Sequence, residues 1–274
     1  MKVSVIIPTV GRESLDAALN SVRLQSQKAF EIIIVDDSLL QSVISDQHLI
    51  VGTGGGRGAS FARNLGARRA NGEFLAFLDD DDLWLSNKLE NQIKALISND
   101  LDILISSAQV NCSIRPAKKH VLKLGQDPLE LLYEKPHVLK SRAYLPTSSY
   151  IVRKSVFEKI SFCEDLVDRE NIFFLDTCFR SKLRLLQSDD VLVEINYKKE
   201  VSLIRMTLQS EQLWFDYLRT KKMKYARNFL VESVRNFMRR KDFAIARNFL
   251  ASNTTQIFKY HLLHFISRLT SIFR

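Results

Sequence analysis

The 274-residue sequence predicts an α/β protein, a mostly parallel sheet flanked by helices, with a basic helical extension at its C-terminal end. Three observations predict it. Short β-branched or aromatic apolar runs recur at residues 3–7 (VSVII), 31–35 (EIIIV) and 74–78 (FLAFL), the length and composition of strands covered on both faces. Stretches with helical spacing separate them, and strands alternating with helices imply parallel pairing through crossover connections. The charge is also divided: residues 211–274 hold 13 Lys/Arg against 4 Asp/Glu, while residues 1–210 hold 27 of each. The whole net charge of +9 therefore belongs to the tail, which implies two units with a boundary near 210.

The elements follow in order. After the first strand, apolar spacing over 14–27 predicts a helix leading to the strand at 31–35. The turn VGTGGGRGAS then opens a helix over 59–70, and FLAFL is the third strand. A helix over 86–98, a strand over 101–106, a strand-then-helix in LPTSSYIVRKSVFEKI and a strand over 190–197 complete the first unit. In the tail, 211–240 and 242–252 read as helices, and ARNFL at 226–230 and 246–250 reads as an echo between them. Residues 256–273 place Phe258, Leu262, Phe265, Ile266, Leu269 and Phe273 on one helical face.

Several classes are excluded. Hydrophobic content of 46% and charged content of 26% are those of a globular protein rather than a disordered one. Three cysteines without CxxC spacing argue against a disulfide framework or zinc site and fit a reducing compartment. MKVSVIIPTVGR is too short an apolar run for a signal peptide. No stretch approaches the roughly 18 apolar residues of a transmembrane helix.

In an open parallel sheet, ligands collect beyond the carboxyl ends of the strands. Pro8-Thr9, Asp36-Asp37 and Asp79 to Asp82 all sit at such ends. Four adjacent carboxylates repel one another, and a divalent cation such as Mg²⁺ or Mn²⁺ shared with a phosphate-bearing ligand removes that repulsion. The plainer alternative is a solvated acidic run in which Asp82 or Ser86 caps the next helix. An EF-hand fits badly, because Leu83 and Trp84 fall where an oxygen ligand and a glycine are needed. VGTGGGRGAS is neither GxGxxG nor GxxxxGK[ST], so it reads first as a flexible turn whose amides can line a phosphate site.

Taken together, VSVIIPTVGR, EIIIVDDS and GASFARNLGARRANGEFLAFLDDDDLWLSNKL resemble the family-2 glycosyltransferases of the GT-A fold, in order and spacing, over roughly residues 1–95. LPTSSYIVRKSVFEKISFCEDLVDREN resembles the family's acceptor-side segment less closely. The resemblance implies a GT-A-like domain over 1–210, with a nucleotide-sugar half at about 1–110 and an acceptor half at 111–210. It implies a nucleotide-sugar donor, most often a UDP-sugar, and inverting transfer to an acceptor hydroxyl. By position, Pro8 and Thr9 would line the nucleotide site, Asp37 with Asp36 beside it would face the base, and Arg63 would contact the donor. Asp79 and Asp81 occupy the DXD positions: Asp81 as the direct metal ligand, Asp79 nearer the ribose or metal, and Asp80 in the variable place between.

The chemistry needs a second acidic site, because an acceptor hydroxyl is a poor nucleophile until a carboxylate takes its proton. Here the chain departs from the pattern. Cys163 replaces the Asp of Phe-Asp-Glu, and Asn171 stands where the catalytic Asp is expected. Glu170 is the first substitute as base, then Asp168 and Asp165; the alternative is that these acids only cap the following helix.

The expected partners are a glycan or lipid-linked acceptor and, through 211–274, an anionic membrane surface, as basic side chains beside apolar stripes suggest. The alternative is that the stripe packs on the protein and the charges are solvated. No nucleic-acid motif is present. The expected location is cytoplasmic, peripheral on the inner membrane face. Two rival functions remain open at this point: a haloacid-dehalogenase-like phosphotransferase with Asp79 as nucleophile, and a non-catalytic relative that binds donor or membrane only.

Overall fold

β1 (Val3–Thr9) is buried along its whole length, as a run of alternating β-branched residues with cover on both faces must be. In the computed structural model, which describes residues 1–39, 43, 48–111, 121–134, 144–166, 168–196 and 207–254, β1 pairs in parallel with β2 (Glu31–Asp36) on one side and β4 (Phe74–Phe77) on the other. β3 (Leu49–Gly52) joins β2, also in parallel. Helices α1 (Leu15–Arg23) and α2 (Ala59–Arg69) are the crossovers. β5 (Leu83–Trp84) and α3 (Lys88–Ser98) follow β4. β6 (Ile103–Val110) comes next, then, past α4 (Pro128–Tyr133), β7 (Tyr150–Arg153). Short α5 (Lys154–Phe157), α6 (Glu170–Arg180) and β8 (Leu185–Ile195) complete the sheet unit.

The strand order is β3-β2-β1-β4-β7-β6-β8-β5. β7 runs antiparallel to both β4 and β6, and β5 runs antiparallel to β8, while β6 and β8 are parallel. The two faces of the sheet separate by strand period. Val3, Val5 and Ile7 of β1 join Leu19 and Val22 of α1 and Leu89, Ile93 and Leu96 of α3 in one core. On the other face α2 lies close, because Gly66 leaves room: a Cβ there would come within 2.5 Å of Ile6 and 3.0 Å of Val35. Phe77 points to that second face, its ring 5.4 Å from those of Phe157 and Phe162.

The chain forms two compact units, residues 1–128 with 143–197, and residues 129–142 with 198–274. The charge distribution places a boundary at 210; packing places it at 198 and adds 129–142 to the second unit. In that unit α7 (Leu208–Lys221) starts at a capping box between Thr207 and Ser210. The chain turns extended at Lys222 (φ −152°, ψ 130°) before α8 (Met223–Arg239), so the helix expected over 211–240 is two helices. A further helix covers 243–254. Trp214, Phe215, Phe229, Phe237 and Phe249 are buried, and Trp214 Nε1 donates to the Tyr133 hydroxyl at 3.0 Å. The apolar face expected over 256–273 lies outside the described residues. No helix among the described residues is long and apolar enough to cross a membrane.

Candidate active site

The carboxyl ends of β1, β2 and β4 lie side by side, and the side chains there are tied to one another. Thr9 Oγ1 donates to Asp80 Oδ2 at 2.6 Å, and Arg12, in the loop after β1, pairs with the other Asp80 oxygen. Arg12 also lies 3.5 Å from Asp81. The Asp37 N–H donates to the Thr9 carbonyl at 2.8 Å, which sets the end of β2 against the end of β1. Pro8 is buried within β1, opposite Val35.

The four aspartates after β4 therefore do different things. Asp80 is buried and held by Thr9 and Arg12. Asp82 is also buried, accepting from the Ser148 hydroxyl at 2.5 Å and the Asn196 N–H at 3.1 Å; it does not cap α3, whose N-cap is Asn87. Burial, with Asp79 beside it, pushes the Asp82 carboxyl up to about 8. Asp79 pairs with Arg63 at 2.5 Å, and its N–H donates to the Ser148 hydroxyl at 3.0 Å. Asp81 is left with the 3.5 Å approach of Arg12 and a side chain 29% exposed. Burial and then the Asp79 charge raise its proton affinity.

This donor set suits a hard divalent cation. Asp79 and Asp81 offer carboxylate oxygens whose mutual repulsion a cation relieves. Among the described residues no group of three or more His, Cys, Asp and Glu side chains is arranged to hold a metal by itself.

The Asp36 and Asp37 carboxylates are engaged by their own loops. Asp36 accepts from the N–H groups of Ser38 (2.8 Å) and Val43 (3.1 Å). Asp37 accepts from the Thr53 hydroxyl and from the N–H groups of Arg57 and Gly58, both at 2.8 Å. The glycine-rich loop thus turns those two amides, just ahead of α2, onto Asp37. Gly55, Gly56 and Gly58 all have positive φ, the conformation that makes glycine the fitting residue there.

Arg63, on α2, reaches across the site. It is 3% exposed, with Nη2 on Asp79 and Nη1 2.9 Å from Glu170. Burial alone would lower its pKa, but Asp79 and then Glu170 outweigh that and raise it. Next to it, Asn64 donates to the Phe162 carbonyl and to Glu164, both at 2.9 Å, and accepts from the Phe162 N–H. These bonds fasten α2 to the segment that leads into α6. Glu170 opens α6 and is brought to the cluster through Arg63. Asp168 is not: its carboxylate turns onto Arg169, which has φ 61°. The Asn171 amide donates to the Leu145 carbonyl at 2.7 Å.

Two participants escape sequence reasoning. Arg12 lies just past a strand end, where the rule that singles out Thr9 also applies. Ser148 carries no such signal; a 3₁₀ turn at Thr147–Ser149 and the pairing of β7 with β4 deliver it.

Residues 4–161, more than half of the chain, match the family described as Glycosyl transferase family 2. Over 116 residues the chain is 32% identical to the UDP-Glc:alpha-D-GlcNAc-diphosphoundecaprenol beta-1,3-glucosyltransferase WfgD of Escherichia coli, covering 39% of this chain and 46% of that one. The chain thus spans about half the length of that relative. It is 28% identical to the succinoglycan biosynthesis protein ExoW of Rhizobium meliloti over 214 residues, 69% of this chain and 66% of the other. Among solved structures, a mannosyltransferase from Pyrobaculum calidifontis in complex with GDP-Man and Mn²⁺ superposes with a TM-score of 0.61 over 98% of this chain and 79% of that one. At 16% identity that likeness is one of fold.

Proposed function

Because the chain belongs to glycosyl transferase family 2, the family matched over residues 4–161, we propose that it transfers a sugar, with inversion, from a nucleotide-sugar donor to an acceptor hydroxyl in polysaccharide assembly. The observation that carries this reading is the convergence of Thr9, Arg12, Asp79, Asp81, Arg63 and Glu170 at the carboxyl end of the sheet. A UDP-sugar is the donor of choice, since the relative at 32% identity is named for UDP-Glc, whereas the GDP-Man complex is a likeness of fold alone. That relative's name, with its diphosphoundecaprenol acceptor, supports a lipid-linked acceptor here. The match also sets the phosphotransferase alternative aside.

Asp81 and Asp79 are the residues that would hold a divalent cation, which when bound supplies positive charge against the departing diphosphate. The chain's own groups do the rest. Arg12 and Arg63 add positive charge around the leaving group. Glu170 takes the proton of the acceptor hydroxyl as its oxygen bonds the anomeric carbon. The carbon–phosphate-oxygen bond breaks at the same time, and the nucleoside diphosphate leaves with the electron pair. One displacement inverts the anomeric configuration.

Calorimetric titration of UDP-sugars with Mn²⁺ or Mg²⁺, followed by turnover on a lipid-linked acceptor, tests the reading. Glu170→Gln is expected to lower turnover by about 10²–10⁴-fold without abolishing donor binding. Near-normal turnover in Glu170→Gln with a collapse in Asp168→Asn hands the base role to Asp168. Donor binding without turnover on any acceptor favours a binding-only relative.

A further inference from the structure

Asp79 and Glu170 come from opposite sides of the site, the donor-side loop after β4 and the start of α6, yet they share one buried cation. Arg63 places Nη2 2.5 Å from Asp79 and Nη1 2.9 Å from Glu170. Its Nε has no hydrogen-bond partner, and the Phe162 ring centroid is 5.5 Å away. Among the described residues no third carboxylate pairs with it. A guanidinium is a rigid planar fork that stays charged at any physiological pH. Weakening one of the two pairs therefore shifts its demand for a counter-charge onto the other, because an unpaired buried cation is costly.

We propose that Arg63 is a positioning residue that couples the two sides: Asp79 and Glu170 compete for one guanidinium, so engaging Asp79 with a donor and its cation strengthens the hold of Arg63 on Glu170. This rests on the glycosyltransfer reading. Linkage makes the coupling reciprocal. Removing the Glu170 charge leaves Asp79 as the sole partner of Arg63, and Asp79 becomes harder to recruit for donor binding, although Glu170 lies on the acceptor side.

The test is a double-mutant cycle on UDP affinity in the presence of Mn²⁺, measured by calorimetry on the full chain. Glu170→Gln is expected to weaken UDP binding by about fivefold or more. In an Arg63→Lys background, which lacks the planar fork that presents one nitrogen to each carboxylate, the same substitution is expected to have little further effect. An equal effect in both backgrounds, or none in either, overturns the proposal. If the unaltered protein binds no UDP, the glycosyltransfer reading falls instead. The coupling is then read from denaturation midpoints of Asp79→Asn, Glu170→Gln and the double variant, as it is if Arg63→Lys does not fold. The double variant, which leaves Arg63 buried without a carboxylate, is expected to lose more stability than the two singles together, whereas additive losses overturn the coupling.

Discussion

Asp80 and Asp81 are neighbours in sequence with opposite employments. Asp80, with a side chain 2% exposed, is bonded on both oxygens, while Asp81 is partly exposed beside a repelling Asp79. Asp81→Ala is therefore expected to abolish metal-dependent nucleoside-diphosphate binding with an unchanged denaturation midpoint; unaltered affinity in calorimetry rejects Asp81 as a ligand. Asp80→Asn keeps the shape but loses the charge that holds Arg12, and is expected to cost about 1–3 kcal/mol in denaturant unfolding. The sequence makes the acidic run conspicuous because it abuts an apolar strand. It cannot show which carboxylates face inward, since that depends on Thr9, Ser148 and Asn196, which are distant in sequence.

At the scale of elements, α2 is placed by a close approach. Gly66 meets Ile6 and Val35 with no room for a methyl group, and Arg63 and Asn64 ride on the same helix. Gly66→Ala is expected to destabilise the protein by about 1–3 kcal/mol and to weaken donor binding as α2 shifts; a neutral result in both measurements rejects the tight contact. In α3, Lys88 is fully buried, with Nζ 2.6 Å from Gln92 and 4.0 Å from the centre of the Trp84 ring. Burial lowers its pKa well below 10.5. The folded state thus binds this proton more weakly than the unfolded chain, so stability is lost as pH falls below 10.5 toward the folded pKa. Lys88→Met is expected to flatten the rise in denaturation midpoint as pH climbs toward 10.5, and an identical slope in both proteins removes Lys88 as its cause. β1, β2, β4, α2 and α3 are legible because each carries its own period and turn signals. β3 and β5, four and two residues long, are too short to show a period and exist through pairing. The helix break at Lys222 has no glycine or proline to announce it.

For the whole molecule, the basic region that charge counting marks off has a core of its own, built on Trp214, Phe229, Phe237 and Phe249. Composition shows the charge but not that residues 129–142 join this unit, because that association depends on Tyr133 bonding with Trp214 and packing against Phe229. We propose that residues 211–274 bring the enzyme to an anionic membrane where a lipid-linked acceptor would lie. Deletion of residues 255–274 is then expected to release the protein from anionic vesicles in a flotation assay while UDP binding survives. Vesicle binding that persists after the deletion moves the anchor to the ten Lys/Arg of residues 211–254, and binding that does not weaken with salt rejects an electrostatic tail anchor.

The antiparallel pairing of β4 with β7 also sets a timetable for synthesis. When residues 1–128 have left the ribosome, FLAF of β4 has one edge without its neighbour, and the buried Asp82 still lacks the hydroxyl of Ser148. An apolar strand with an unpaired edge is a template for association with other chains, and it stays one until roughly 25 more residues have emerged and β7 can dock, about one to five seconds of translation. Nascent chains stalled in that interval would carry an exposed strand and an unfinished acidic loop, both open to holding chaperones.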